Sequence, residues 1–207
     1  QNPAETNSSL GARAAEIALE RAGRKPEDID QIIYATCSPD TLLPSTACWL
    51  QQKIGARRAW AMDINAACSG FIYGVVTAEQ FILSGHSKTV LVVGGEVLSQ
   101  WVNWQDRNIC ILFGDGAGAA ILEPADEPGF VSSAMRADGS YHGHWGIYAG
   151  ATFEPATEEA VREGRTAVRM IERYPPEVNH EGWPKVFRSL CSNGDFEVAD
   201  VDLAIFT

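Results

Sequence analysis

The stretch "DINAACSGFIYGVV", residues 63–76, decides how this chain is read. Its first residues end an apolar segment, "ARRAWAMDI", with the composition of a strand. Small residues follow, and then a run with no charged side chain until Glu79. The pattern predicts a strand, a tight junction and a helix over residues 69–84, stopped near Gly85 and buried nearly all round. Cys68 falls at the first turn of that helix. Free cysteine is commonly a small packed hydrophobe. At a helix start, however, unpaired N–H groups and the positive end of the macrodipole favour a thiolate. Ala66, Ala67, Ser69 and Gly70 would let a carbonyl approach the backbone, where the Cys68 N–H is one oxyanion donor. The residues alone leave both readings open.

Outward from this junction the chain alternates. A helix is expected over residues 8–22, capped by Ser8 or Ser9 and stopped by Gly23. "DQIIYATCS" reads as a buried strand, residues 45–54 as a helix ended by Gly55, and "KTVLVVGGEVL" as a further strand. "NICILFGDGAGAAILEP" reads as two strands around a glycine-rich turn. Such alternation indicates an α/β protein with right-handed crossovers. "GDGAGA" is no dinucleotide fingerprint, because "AAILEP" after it reads as a strand, where a helix is required. There is also an internal echo. "GRKPEDIDQIIYA" (23–35) and "GDFEVADVDLAIFT" (194–207) both run from a helix through Asp-x-Asp into an apolar segment, as a duplicated half would.

The 207 residues are 45% apolar and 21% charged, enough for a sizeable core. A net charge of −11 argues against a nucleic-acid binder. No run approaches a membrane span and no signal peptide opens the chain. The five cysteines show no CxxC and no Cys/His ligand spacing, which fits reduced thiols in the cytoplasm. His142 and His144, in a loop, lack a third ligand, so no metal is expected; His86, after the stop at Gly85, reads as a charge partner of the helix C-terminus, and His180 is uninformative. Both ends of the chain read as incomplete: the start resembles mid-protein sequence and the end stops within an apolar run.

"DINAACSGFIYG", "SGHSKTVLVVGGEVLS" and "DRNICILFGDGAGAAIL", in this order and spacing, resemble the β-ketoacyl-acyl-carrier-protein synthase III family. The resemblance covers most of 1–140 and resumes at 181–207. It implies a thiolase-like α/β fold of duplicated βαβαβ halves in layered α/β/α/β/α packing. Residues 1–125 would be most of the N-terminal half, and 126–207 connecting loops and the start of the second. It implies that Cys68 takes an acyl group from acyl-CoA as a thioester and condenses it, with loss of CO2, with a malonyl thioester on acyl carrier protein. It implies a cytoplasmic homodimer with no bound cofactor and no membrane partner.

Other roles come from the same resemblance. Arg107 matches an arginine lying against the CoA adenine, although the family usually has a small residue where this chain has Asn108. Leu43 matches a residue that crosses the dimer interface to floor the acyl pocket. Phe113 matches an aromatic that orders the tunnel. The family's catalytic His follows a strand like "DVDLAIFT", which puts Thr207 at that position; either the family's His and Asn lie outside the residues given, with the match off by one, or this is a divergent branch with Thr there. Threonine has a weak neutral donor and is no base near pH 7, so a Thr branch would pass its acyl group to an alcohol, amine or carrier thiol. A non-catalytic partner subunit is a rival from another class, and an intact Cys68 argues against it. Finally, residues 158–174 place Arg162, Arg165, Arg169 and Arg173 on one helical stripe, which reads either as a solvated face, since Glu158, Glu159, Glu163 and Glu172 interleave with it, or as a docking surface for an acidic carrier protein.

Overall fold

The computed structural model describes residues 5–127 and 129–205. They form two compact units, Gln1–Leu98 with Gly114–Glu127, and Ser99–Phe113 with Pro128–Thr207. Each is described by itself.

The first unit is built on a four-stranded sheet in the order β2-β1-β3-β4. Its strands are β1 (Gln31–Ala35), β2 (Trp60–Ile64), β3 (Val90–Val97) and β4 (Asp115–Leu122). β1 runs parallel to β2 and β3, with Ala35 opposite both Ile64 and Gly94. β4 runs antiparallel to β3, pairing Gly116 with Glu96 and Gly118 with Gly94. β1 is buried along its whole length, as a continuous apolar run between covered faces must be. On one face Ile32, Tyr34, Leu91 and Val93 pack against α1 (Asn7–Ala22) and α2 (Thr46–Ile54). On the other, Ile33, Val90 and Val92 pack against α3 (Gly70–Leu83).

Local chemistry fixes these helices. α1 begins at Thr6, not Ser8 or Ser9: the Thr6 hydroxyl accepts from the Ser9 N–H and the Ser9 hydroxyl accepts from the Thr6 N–H, a reciprocal capping box. It ends at Gly23 in the left-handed region, φ 63°. α2 is capped from a distance: the Asp63 carboxylate on β2 accepts the Thr46 and Ala47 N–H groups, both at 2.7 Å. α3 lies close on the sheet because Gly70 and Gly74 face it; a Cβ at Gly74 would sit 3.0 Å from Val92 Cγ1. Only that face is covered. Ile72 and Leu83 are exposed, which corrects the expectation of a helix buried all round.

The glycine motif is also corrected. Residues 107–110 are a short helix, and Asp115–Leu122 is one uninterrupted strand with no turn inside it. Pairing along the whole of β3 supplies the hydrogen bonds that overrule local turn preference.

The second unit holds α4 (Arg107–Cys110), β5 (Trp145–Gly146), α5 (Glu158–Arg162), β6 (Arg169–Met170) and α6 (Pro176–Gly194). β5 and β6 pair antiparallel beside a small cluster of Val102, Ile109 and Val168. The internal echo has a local structural counterpart. α6 ends in left-handed Asp195, φ 54°, as α1 ends in Gly23. A 3₁₀ turn follows each, Pro26–Asp28 and Val198–Asp200. In each the aspartate accepts the preceding cap N–H at 2.9 Å, Asp28 from Lys25 and Asp200 from Glu197. The expected second strand does not form: residues 201–205 have no strand partner, and Phe206 and Thr207 lie outside the described residues.

Candidate active site

Three chain segments meet at the carboxyl edge of β1 and β3. Beyond β2, the backbone turns through Asn65 and Ala66 into a 3₁₀ turn, Ala67–Ser69, continuous with α3. Ala67 has φ 46°, a left-handed conformation unfavourable to a residue with a Cβ. The bend presents Cys68 to solvent, where it is a free, exposed thiol. Within its own unit Cys68 is therefore not packed in the core.

Cys68 borders a cavity of about 360 Å³. Ala35, Ala67 and Phe71 form part of its wall, and Gly94, Gly95, Glu96 and the Gly116–Gly118 segment the rest. The glycines make the space. A Cβ at Gly116 or Gly118 would meet nothing within 4 Å, and neither has positive φ, so room rather than backbone strain explains them. Gly95 is the opposite case. A Cβ there would collide with the Tyr34 hydroxyl and lie 2.6 Å from Asn7 Oδ1.

Behind this wall lies a buried polar network. Asn7 Oδ1 accepts the Tyr34 hydroxyl at 2.7 Å. Asn7 Nδ2 lies within bonding distance of Thr36 Oγ1 (2.7 Å), the Ser38 carbonyl (2.8 Å) and the Gly95 carbonyl (3.0 Å). The Glu96 carboxylate closes it, accepting from the Cys37 N–H at 2.8 Å, the Ser38 hydroxyl at 2.5 Å and the Thr36 hydroxyl at 3.3 Å. Burial, with the nearby Asp40, Glu96 and Asp63 charges, pushes the Tyr34 phenol far above its usual range.

Cys37 is the second thiol here. Burial, then the charge and hydrogen bond of Glu96, then Cys68, push it up to about 12. It stays a neutral thiol in the fold while ionising near 9.0 once unfolded. A raised acid stabilises the fold below its unfolded pKa, and that stability drains as pH rises toward the folded one. Unfolding free energy is expected to fall between pH 9.0 and about 12, and Cys37→Ala to flatten that part of the fall. Urea melts across the window check this; an equal slope in the variant would contradict it.

The remaining expected site residues are scattered. Leu43 lies in the first unit between β1 and α2, 88% exposed and not on the cavity wall. Arg107 and Phe113 both belong to the second unit. Arg107 is exposed at the start of α4, whose cap Asp106 accepts the Asn108 N–H at 3.0 Å. Phe113 is half-buried, with its ring 6.4 Å from that of Trp145 at 63°. The arginine stripe does not exist as a helix. α5 ends at Arg162, Gly164 turns at φ 68°, and Arg169 lies on β6. Arg165 instead holds Glu154 at 2.7 Å and pairs with Glu163. Sequence reasoning missed Glu96; its visible signal was a lone acid inside the apolar run "VLVVGGEVL".

His142 and His144 also lie in the second unit, where His144 stacks on Tyr174 at 5.4 Å and sits 3.9 Å from Glu172. Among the described residues, no group of three ligating side chains could hold a metal ion. No helix among them is long and apolar enough to cross a membrane.

Solved structures share this architecture. The crystal structure of 3-oxoacyl-[acyl-carrier-protein] synthase III from Aquifex aeolicus VF5 superposes with TM-score 0.79 at 34% identity, covering 97% of this chain and 60% of that one. The priming β-ketosynthase of the R1128 polyketide pathway gives TM-score 0.82 at 29% identity, with coverages of 97% and 59%. The fold is thiolase-like α/β. The family model for 3-oxoacyl-[acyl-carrier-protein] synthase III matches residues 62–139. A β-ketoacyl-[acyl-carrier-protein] synthase III of Roseiflexus sp. (strain RS-1) is 48% identical over 172 residues, 83% of this chain and 52% of the relative. One of Symbiobacterium thermophilum is 43% identical over 208 residues, 98% of this chain and 62% of the relative. The chain is similar to the β-ketoacyl-acyl-carrier-protein synthase III family. It spans about half to three fifths of the length of these relatives.

Proposed function

We propose that this chain carries the acyl-accepting site of a condensing enzyme. Cys68 attacks the carbonyl of an acyl-CoA, CoA leaves as its thiol, and the acyl group rests on Cys68 as a thioester. The acyl-enzyme then condenses with malonyl-acyl-carrier protein, losing CO2 and giving a 3-oxoacyl product. The observation that carries the reading is an exposed thiol, presented by a strained junction at the start of α3, beside a glycine-walled cavity of about 360 Å³. The names of the relatives favour condensation over simple transfer.

Condensation also needs donors for a developing enolate. No histidine lines the cavity among the described residues. Thr207 stands, on ungapped alignment, at the family's His position. A site with Thr there would pass the acyl group to an alcohol, amine or carrier thiol instead. Supplying acetyl-CoA and malonyl-carrier to the protein separates the two: a 3-oxoacyl-carrier product supports condensation. A transferred acyl group without CO2 release would overturn it.

The remaining roles complete this reading. Arg107 meets the CoA adenine, Phe113 orders the acyl tunnel, and Leu43 reaches the partner's pocket in a cytoplasmic homodimer. Arg107→Ala is expected to raise KM for acyl-CoA about tenfold with kcat little changed, the signature of uniform binding. A fall in kcat at constant KM would contradict that role. Gly118→Val adds a side chain where nothing lies within 4 Å. It is expected to keep the melting point within a few degrees and slow acylation of Cys68 by long-chain donors more than by acetyl-CoA. Equal slowing of both would place the acyl chain elsewhere.

A further inference from the structure

We propose that Glu96 sets the charge specificity of the acyl donor: the site accepts neutral acyl groups and rejects those ending in a carboxylate. The inference rests on the acyl-transfer reading of Cys68 and deepens it. Among the described residues, Glu96 is the one charged side chain on a cavity wall otherwise made of glycine, alanine, phenylalanine and Cys68 itself. Among the described residues, no lysine, arginine or histidine stands on that wall to meet a second anion.

The nearby donors are already taken. The Cys37 N–H, the Ser38 hydroxyl and the Thr36 hydroxyl all point to the Glu96 carboxylate. Ser38 Oγ in turn accepts the Val97 N–H at 2.8 Å, so the hydroxyl cannot swing away without breaking two bonds. The carboxylate is thus fixed in place and cannot retreat from an incoming charge. Asp40 and Asp63 add field of the same sign, felt at the neighbouring Tyr34 hydroxyl.

A terminal carboxylate of an acyl group on Cys68 would share this small cavity with Glu96. Like charges roughly 6 Å apart, at an effective dielectric of about 20, repel strongly enough to slow acylation on the order of tenfold to a hundredfold. An apolar acyl terminus meets glycine and alanine faces and the Phe71 ring. The CoA portion is common to all donors and drops out of the comparison.

The test compares isosteric donors on the intact protein: glutaryl-CoA and 5-methylhexanoyl-CoA, which differ in a terminal carboxylate against an isopropyl group. The readout is the rate of acyl mass appearing on Cys68. The wild type is expected to prefer the neutral donor at least about tenfold. Glu96→Gln, which keeps the length and one acceptor, is expected to bring the ratio down severalfold by speeding the anionic donor. Glu96→Asp, which keeps the charge, is expected to retain the preference. A merely structural Glu96 would slow both donors alike and leave the ratio where it was. Equal wild-type rates with the two donors would overturn the proposal whatever the variants do. An unchanged ratio in folded Glu96→Gln would overturn it as well. Acylation by neither donor nor by acetyl-CoA would overturn the acyl-transfer reading beneath it, a result distinct from a lost preference.

Discussion

Cys68→Ala is expected to reduce acyl transfer at least about a thousandfold, because the thiol is the bond-forming atom and no neighbour can replace it. Cys37 is the nearest alternative, and it fails on chemistry. Burial and the Glu96 carboxylate hold it as a neutral thiol, pushed up to about 12. Cys68→Ala leaves the fold intact, since the side chain is exposed and packs against little. Cys68→Ser keeps the shape of the junction but offers a poor nucleophile; among the described residues no histidine lines the cavity to activate it, and the Glu96 carboxylate is held by Cys37, Ser38 and Thr36. Steady-state release of CoA from acyl-CoA checks both variants. Activity within tenfold of the wild type in folded Cys68→Ala would remove the thiol from the mechanism.

Gly95→Val is expected to destabilise the protein by about 4 kcal/mol, from overpacking and the loss of buried hydrogen bonds together. Its Cβ falls on the Tyr34 hydroxyl and beside Asn7 Oδ1, which are hydrogen-bonded to each other at 2.7 Å. Neither can move freely. Tyr34 is fully buried on β1, and Asn7 also meets Thr36, Ser38 and the Gly95 carbonyl. Separating them strands buried polar groups in a medium where each is expensive to leave unpaired. The same addition at Gly118 meets open space, so the pair isolates the effect of site from that of residue type. Urea denaturation of both variants checks the contrast. Equal midpoints for Gly95→Val and Gly118→Val would show that the network is not rigid.

Periodicity and composition were enough for the strands and helices whose partners are apolar. β1 and β3 are continuous apolar runs, and α1 to α3 carry their stop signals at Gly23, Gly55 and Gly85. The junction at Cys68 was legible too, because a strand, small residues and a helix appear there in order. Three features were not. Gly116 and Gly118 look like part of a turn locally, and lie in a strand only because β3 offers eight consecutive partners. The arginines of residues 158–174 have helical spacing, but Gly164 ends the turn after Arg162. The Glu96 network joins residues far apart in sequence, Asn7 to Gly95 among them, which no local pattern reveals. The Asp-x-Asp echo lies between these cases: its turn geometry is repeated in both copies, while its second strand is not formed over residues 201–205.

The most direct test is to locate the acyl group. The protein would be exposed to isotopically labelled acetyl-CoA, quenched in acid, digested, and its peptides weighed. The account predicts one labelled acetyl group, on the peptide containing Cys68, labile to hydroxylamine as a thioester is. Label on the Cys37 peptide instead, or no thioester on a folded protein, would contradict it.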